Sequence, residues 1–358
     1  MKKRKVFSSN VQKLLFFTVL SLIFLIGCGN DASTEDEASG SGNSDNVNID
    51  YASFKPSTHQ HEIELFPEYF NEIEEQTEGR LTITTYLGES LAAADDTYDA
   101  TANGAVDMGV SLQSYSADQF PLTSVLDLPY VTDSGEKASE ILWTLFEEFP
   151  EFQDEYDETV PLILYGTEPY QIATADQPIQ SLEDIEGMRI RSPSPEVSNW
   201  LEYLGATPVN MPVTELYEAL ERGTVDGSIL PMHTLTDWSL EGVVDYVTVG
   251  NFFSAQLFMV MNREVYESLS EEDREVIDSL SGLEMSKKAG ALFDGTSEEA
   301  MAEFEEEIDF YELDEEESEE WRSAIEPAVD DWIDRMTENG FPAQEIYDRA
   351  LEIDNELD

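Results

Sequence analysis

One cysteine, Cys28, in 358 residues excludes any disulfide within the chain, and three histidines leave little for a nitrogen- or sulfur-ligated metal centre. Cations are scarce too. Eighteen Lys and Arg stand against 78 Asp and Glu, a formal charge of −60, which excludes nucleic acid as a partner. No Gly-x-Ser-x-Gly, phosphate-loop or His-Glu-x-x-His run occurs, so the common nucleophile, nucleotide and zinc-protease signatures are missing. Carboxylates are so numerous that any two of them could be offered as an acid–base couple, and none carries an argument.

What is present begins with the N-terminus. Lys2, Lys3, Arg4 and Lys5 precede a mostly apolar stretch from Leu14 to Ile26, and Leu25-Ile26-Gly27-Cys28 follows. This reads as a lipoprotein signal peptide over 1–27, with cleavage after the small Gly27 and a lipid on Cys28. The stretch is too short and wrongly flanked to span a bilayer. The expected location is extracytoplasmic, held to the cell membrane through Cys28. Residues 28–46 carry no apolar side chain larger than Ala until their end and read as a flexible acidic tether.

Five of the cations lie before Cys28, so the mature chain has 13 against 78 acids, a charge of −65. Such a surface repels itself at low ionic strength and is relieved by salt, which points to saline surroundings. Around the acidic block Glu305-Glu306-Glu307, the spacing of Met301, Phe304, Ile308 and Tyr311 predicts a helix with the acids on its solvated face.

Five positions recur at one offset. Tyr98, Ala100, Gly104, Val106 and Asp107 return as Tyr217, Ala219, Gly223, Val225 and Asp226, each 119 residues later. Helical spacing up to a Gly, then a short apolar run, predicts a helix feeding a buried strand. Any α/β protein repeats helix-Gly-strand units, but a constant offset points to two similar lobes with a ligand cleft between them. Strands are expected at Val47–Ser53, Leu81–Tyr86, Ala105–Leu112, Pro161–Tyr165, Met188–Arg191 and Val225–Leu230, with a helix over Ile63–Gln76. From Arg263 onward the pattern is almost wholly helical.

Three runs then carry a resemblance: Gln180 to Pro193 (QSLEDIEGMRIRSP), Leu204 to Pro212 (LGATPVNMP) and Thr214 to Gly227 (TELYEALERGTVDG). With Glu78-Gly-Arg-Leu-Thr-Ile83, Gly88-Glu-Ser-Leu91, Phe120 to Tyr130 and Ser254 to Asn262, they resemble the extracytoplasmic solute receptors of TRAP transporters, the DctP type. The resemblance covers about residues 48–300. It implies an α/β, two-lobed periplasmic-binding-protein-like fold with a cleft between lobes and a long C-terminal helical region. Crossing strands and a long helix would join the lobes, which close over a small organic acid. The expected division is 47–168 plus 256–295 for the first lobe and 169–255 plus 296–358 for the second. The implied partners are a small carboxylate ligand and the small and large TRAP membrane subunits, with no cofactor.

Arg191 ends an expected strand just before Pro193, where parallel strands open toward a cleft. Its guanidinium matches a carboxylate bidentately, and it occupies the position of the family's carboxylate-binding arginine. Arg189, two residues earlier, reads as a structural partner of the surface acids. Two departures from the family pattern matter. Gln171 stands where many members carry a second arginine, and Leu230 stands where many carry Asn before Pro. Both changes favour a monocarboxylate over a dicarboxylate. Tyr170, His233, Trp238, Phe252 and Phe253 are candidate pocket walls, and each could instead be ordinary core. Glu89 completes the expected binding set. His59 and His61 form a His-x-His pair next to the first helix, but with so few other ligands no metal is expected. An ABC-type solute-binding lipoprotein and an extracellular hydrolase remain as alternatives to the TRAP receptor, which is itself not an enzyme.

Overall fold

A computed structural model describes residues 46–357, so Cys28, the signal peptide and nearly all of the tether lie outside the described residues. Eleven strands occur among those described: β1 (Val47–Ser53), β2 (Leu81–Tyr86), β3 (Met108–Leu112), β4 (Thr159–Gly166), β5 (Gln171–Thr174), β6 (Arg189–Ser192), β7 (Thr207–Asn210), β8 (Gly227–Leu230), β9 (Tyr246–Val249), β10 (Gln256–Asn262) and β11 (Asp309–Glu312). They form a five-stranded sheet in the order β2-β1-β3-β10-β4 and a six-stranded sheet in the order β11-β9-β5-β8-β6-β7. Each sheet is mixed, and each carries one strand from the far side of a crossover.

The repeat is a structural one. Helix Thr97–Ala102 leads to Gly104 at φ +71° and then β3, while helix Leu216–Glu221 leads to Gly223 at φ +63° and then β8. The left-handed conformation suits Gly because it has no Cβ to clash. The caps correspond bond for bond. Ala105 N and Val106 N donate to Ala100 O, as Thr224 N and Val225 N donate to Ala219 O. Asp107 then accepts from Asp50 N (2.9 Å) on neighbouring β1, and Asp226 accepts from Arg189 N (2.8 Å) on neighbouring β6. The Asp thus locks each strand to its parallel neighbour. These caps also explain why β3 and β8 start later than the apolar runs suggest, since 105–106 and 224–225 belong to the turn.

Two expected helical stretches differ. The chain enters its first helix through a π-helical turn, His61–Leu65, and the α-helix proper is Phe66–Gln76. Pro67 has no N–H to close a regular turn onto residue 63, so the regular helix begins beside it. Near the acidic block the long helix stops at Glu303, Glu305–Glu307 sit in a turn, and Ile308 is buried ahead of β11, which pairs parallel with β9. The acids there do not form a helix face. The next block behaves as caps: Asp314 accepts from Glu316 N and Glu317 N, and Glu317 accepts from Asp314 N. This capping box places anions at the helix end whose dipole favours them.

Two crossings, 167–170 and 250–255, join the sheets and bond to one another. Thr167 N donates to Ala255 O (2.9 Å), Tyr170 N to Phe253 O (2.7 Å) and Phe252 N to Tyr170 O (3.0 Å). The long helix Leu283–Glu303 packs on helix Gly135–Glu148, and further along on the short helix His233–Asp237. It approaches the first so closely that a Cβ on Gly290 would overlap the Gly135 carbonyl. The C-terminal helix Ala343–Leu357 also packs on Gly135–Glu148, with Ile346, Ala350 and Ile353 buried among Leu126, Ile141 and Leu145. The tail therefore returns to the first lobe, and the expected placement of all of 296–358 on the second lobe is corrected. Among the described residues, no helix is long and apolar enough to cross a membrane.

Candidate functional site

The C-terminal ends of parallel strands β1 and β3 face those of β6 and β8 across a narrow cavity of about 20 Å³. The first lobe contributes Phe54, Lys55, His59, Leu112 and Tyr115. The second contributes Arg191, Val213, Pro231, His233 and Trp238; Tyr170 enters from a crossing and Phe293 from the long helix.

Arg191 dominates one end. It is 1% exposed, and its guanidinium donates to Met211 O (2.8 Å), Ile229 O (3.4 Å) and the Tyr115 hydroxyl (3.2 Å). Among the described residues no carboxylate pairs with it. A buried cation whose partners are neutral oxygens is costly unless an anion joins it. Arg189, two residues away, has the opposite surroundings. It is exposed and forms a two-pronged pair with Asp226.

From Arg191 the wall runs as a series of rings. Tyr115 meets Phe54 edge to face (6.0 Å between centroids), Phe54 stacks on Trp238 (6.2 Å), and Trp238 meets His59 edge to face (5.8 Å). The end away from Arg191 is polar. Lys55 is fully buried, donates to the Tyr165 hydroxyl (2.6 Å) and lies 5.0–5.4 Å from the Phe66, Tyr165 and Phe293 rings. Burial pulls its pKa down to about 7, against the pull of Glu62 and Asp237. Burial also raises Asp237 to about 6. His59 and His61 are held well below the usual histidine range by burial and by the neighbouring Lys55, so both rings are neutral.

Hydrogen bonds fix the tautomers. His59 Nδ1 accepts from His61 N (3.2 Å), which puts the proton on Nε2, and that atom faces Asp237 Oδ2 at 3.5 Å. His61 Nε2 donates to Ala289 O (2.8 Å). His233 Nδ1 donates to Glu168 (2.8 Å). One potential ligand atom from each of His59, His233 and Asp237 lies within 4.8 Å of the others, but a proton on His59 Nε2 removes the lone pair a metal would use.

The expected binding residues divide. Arg191, Tyr170, His233 and Trp238 line the cavity, and His59, not in the expected set, lines it too. Gln171 does not. Its Oε1 accepts from Gly250 N (2.8 Å) and Asn251 N (2.9 Å), and its Nε2 donates to Pro169 O and Asn251 Oδ1, so the amide clamps the crossings together. Leu230 is core, and the following Pro231 reaches the cavity instead. Phe252 packs against Trp200 and Trp321 behind the crossing, and Phe253 against Tyr170. Glu89 is exposed and accepts from Ala94 N (2.8 Å) within its own loop. Lys55, Phe54, Tyr115 and Phe293 are among the pocket residues that sequence reasoning missed. Lys55 carried a usable signal: it is a rare cation two residues beyond a strand that opens on the cleft, the argument that found Arg191.

Residues 52–335 match the family described as bacterial extracellular solute-binding protein, family 7, DctP. The chain belongs to this family. Its relatives include the ectoine-binding periplasmic protein TeaA of Halomonas elongata, 25% identical over 75% of this chain and 79% of that one. The C4-dicarboxylate-binding periplasmic protein DctP of Rhodobacter capsulatus is 23% identical over 75% of this chain and 81% of its own. Among solved structures, a marine-metagenome TRAP solute-binding protein specific for aromatic acid ligands, in complex with 3-hydroxybenzoate, superposes with a TM-score of 0.83. It is 25% identical, with 87% of this chain and 99% of that one covered. The chain therefore has the TRAP receptor fold and is an extracytoplasmic solute-binding protein.

Proposed function

We propose that this receptor binds an aromatic monocarboxylate and hands it to the TRAP membrane subunits while tethered by a lipid on Cys28. The observation that carries the ligand reading is Arg191, buried at one end of a ring-lined cavity with no carboxylate of its own. An ionised carboxylate completes its charge and takes its donors, and closure of the lobes strengthens the pair by excluding water. One carboxylate is favoured over two because the position of a second family arginine is Gln171, turned into the crossings. Glu168 and Asp237 lie against His233 and His59 at the other end and oppose a second anion there. Binding of aromatic acids by a structure of the same fold and similar sequence supports the ring-lined walls as a ligand surface.

A thermal-shift series on the mature chain tests both the ligand class and the saline setting. Aromatic monocarboxylates should raise the melting temperature by mass action, and C4-dicarboxylates should not. The unliganded midpoint should fall as salt drops from about 1 M to about 0.1 M, where the Debye length grows from about 3 Å to about 10 Å. A dicarboxylate that stabilises more than any monocarboxylate rejects the ligand class; a flat or rising midpoint rejects the saline setting. The anchor is checked separately, since Cys28→Ser removes the thiol that lipid attachment needs and should leave the protein unlipidated.

A further inference from the structure

The end of the cavity opposite Arg191 presents polar groups that a carboxylate at Arg191 leaves unused. His59 Nε2 carries a proton, is buried, and has no hydrogen-bond partner. His233 is held by Glu168 through Nδ1. Lys55 lies beside them, fully buried and bonded to the Tyr165 hydroxyl. Their spacing is close: the His59 and His233 ring centroids are 5.5 Å apart, and Asp237 Oδ2 is 3.5 Å from His59 Nε2.

This set offers a donor and acceptors together. A hydroxyl satisfies both, accepting from His59 or Lys55 while donating to Asp237. A carboxylate only accepts and would lie against Asp237 and Glu168. An apolar group would leave the buried His59 N–H without a partner, which costs free energy. We propose that Lys55, His59 and Asp237 form a second subsite that selects a hydroxyl, making the substrate class hydroxylated aromatic monocarboxylic acids. The proposal rests on the reading of Arg191 as the carboxylate anchor.

Calorimetry on the mature chain with benzoate, 3- and 4-hydroxybenzoate and isophthalate tests it, with zinc chloride alone as a further arm. The better hydroxybenzoate should bind wild type about tenfold tighter than benzoate, and isophthalate should bind more weakly than either. In Lys55→Met and His59→Asn the hydroxyl preference should shrink to within about twofold. Asn keeps an oxygen able to accept the His61 N–H, so the entry turn survives. If neither variant folds, the wild-type series decides by itself, with the methyl ethers of the hydroxybenzoates as acceptor-only controls that should lose the preference. Equal affinity for benzoate and both hydroxybenzoates overturns the subsite and leaves the carboxylate reading standing. So does tightest binding of isophthalate at this end, or stabilisation by zinc that His59→Asn abolishes. Failure of every acid to bind overturns the carboxylate reading and the subsite with it.

Discussion

Arg189 and Arg191 lie two residues apart on β6, yet one is exposed and paired with Asp226 while the other is buried and faces neutral oxygens. In a chain with 18 Lys and Arg against 78 Asp and Glu, a carboxylate is the default neighbour for any guanidinium. Arg189 has that neighbour because Asp226, the cap of the repeated unit, sits at the rim of the same sheet. Arg191 points into the cleft, where the fold supplies none. The unpaired cation is therefore the informative one, and the same test singles out Lys55, whose closest partner is the Tyr165 hydroxyl.

The largest expected effect separates the two arginines by binding. Truncating one partner of a buried charge pair costs on the order of 2–5 kcal/mol, so Arg191→Ala should weaken an aromatic acid by roughly thirtyfold or more. Arg189→Ala should change affinity little. Calorimetry on both variants checks this, and a larger loss in Arg189→Ala would reverse the assignment of the strand's two ends.

A smaller effect compares the two copies of the repeat. Asp107→Ala leaves the partly buried Asp50 N–H without its acceptor and should cost about 1–2 kcal/mol in urea unfolding. Asp226→Ala acts at an exposed site and frees an exposed ion pair, so about 1 kcal/mol or less is expected. Equal losses would mean that exposure does not distinguish the copies.

Much of this was legible in the sequence because it rests on local chemistry. The caps at Gly104 and Gly223 and the strand before Pro193 are written in residues next to the structures they form. The parts that were not legible depend on what lies opposite. Gln171 occupies the expected position, but Gly250 N and Asn251 N engage its amide, and no local pattern announces that the other crossing lies there. Leu230 and Phe252 sit beside the cleft in sequence while their side chains turn into the core. β11 was hidden because Asp309-Phe-Tyr-Glu312 is short and acidic and is fixed by pairing with β9, 60-odd residues upstream. Tyr98 and Tyr217 match in sequence but not in setting. The first donates from a buried site to Glu155 O, and the second is 37% exposed.

The most direct test of Arg191 as anchor is a crystal structure of the mature chain with bound 3-hydroxybenzoate. The carboxylate should lie about 2.7–2.9 Å from two Arg191 nitrogens, with the ring between Phe54 and Trp238. A carboxylate seated at Lys55 and His59, with Arg191 still bonded only to Met211 O, Ile229 O and Tyr115, would contradict it.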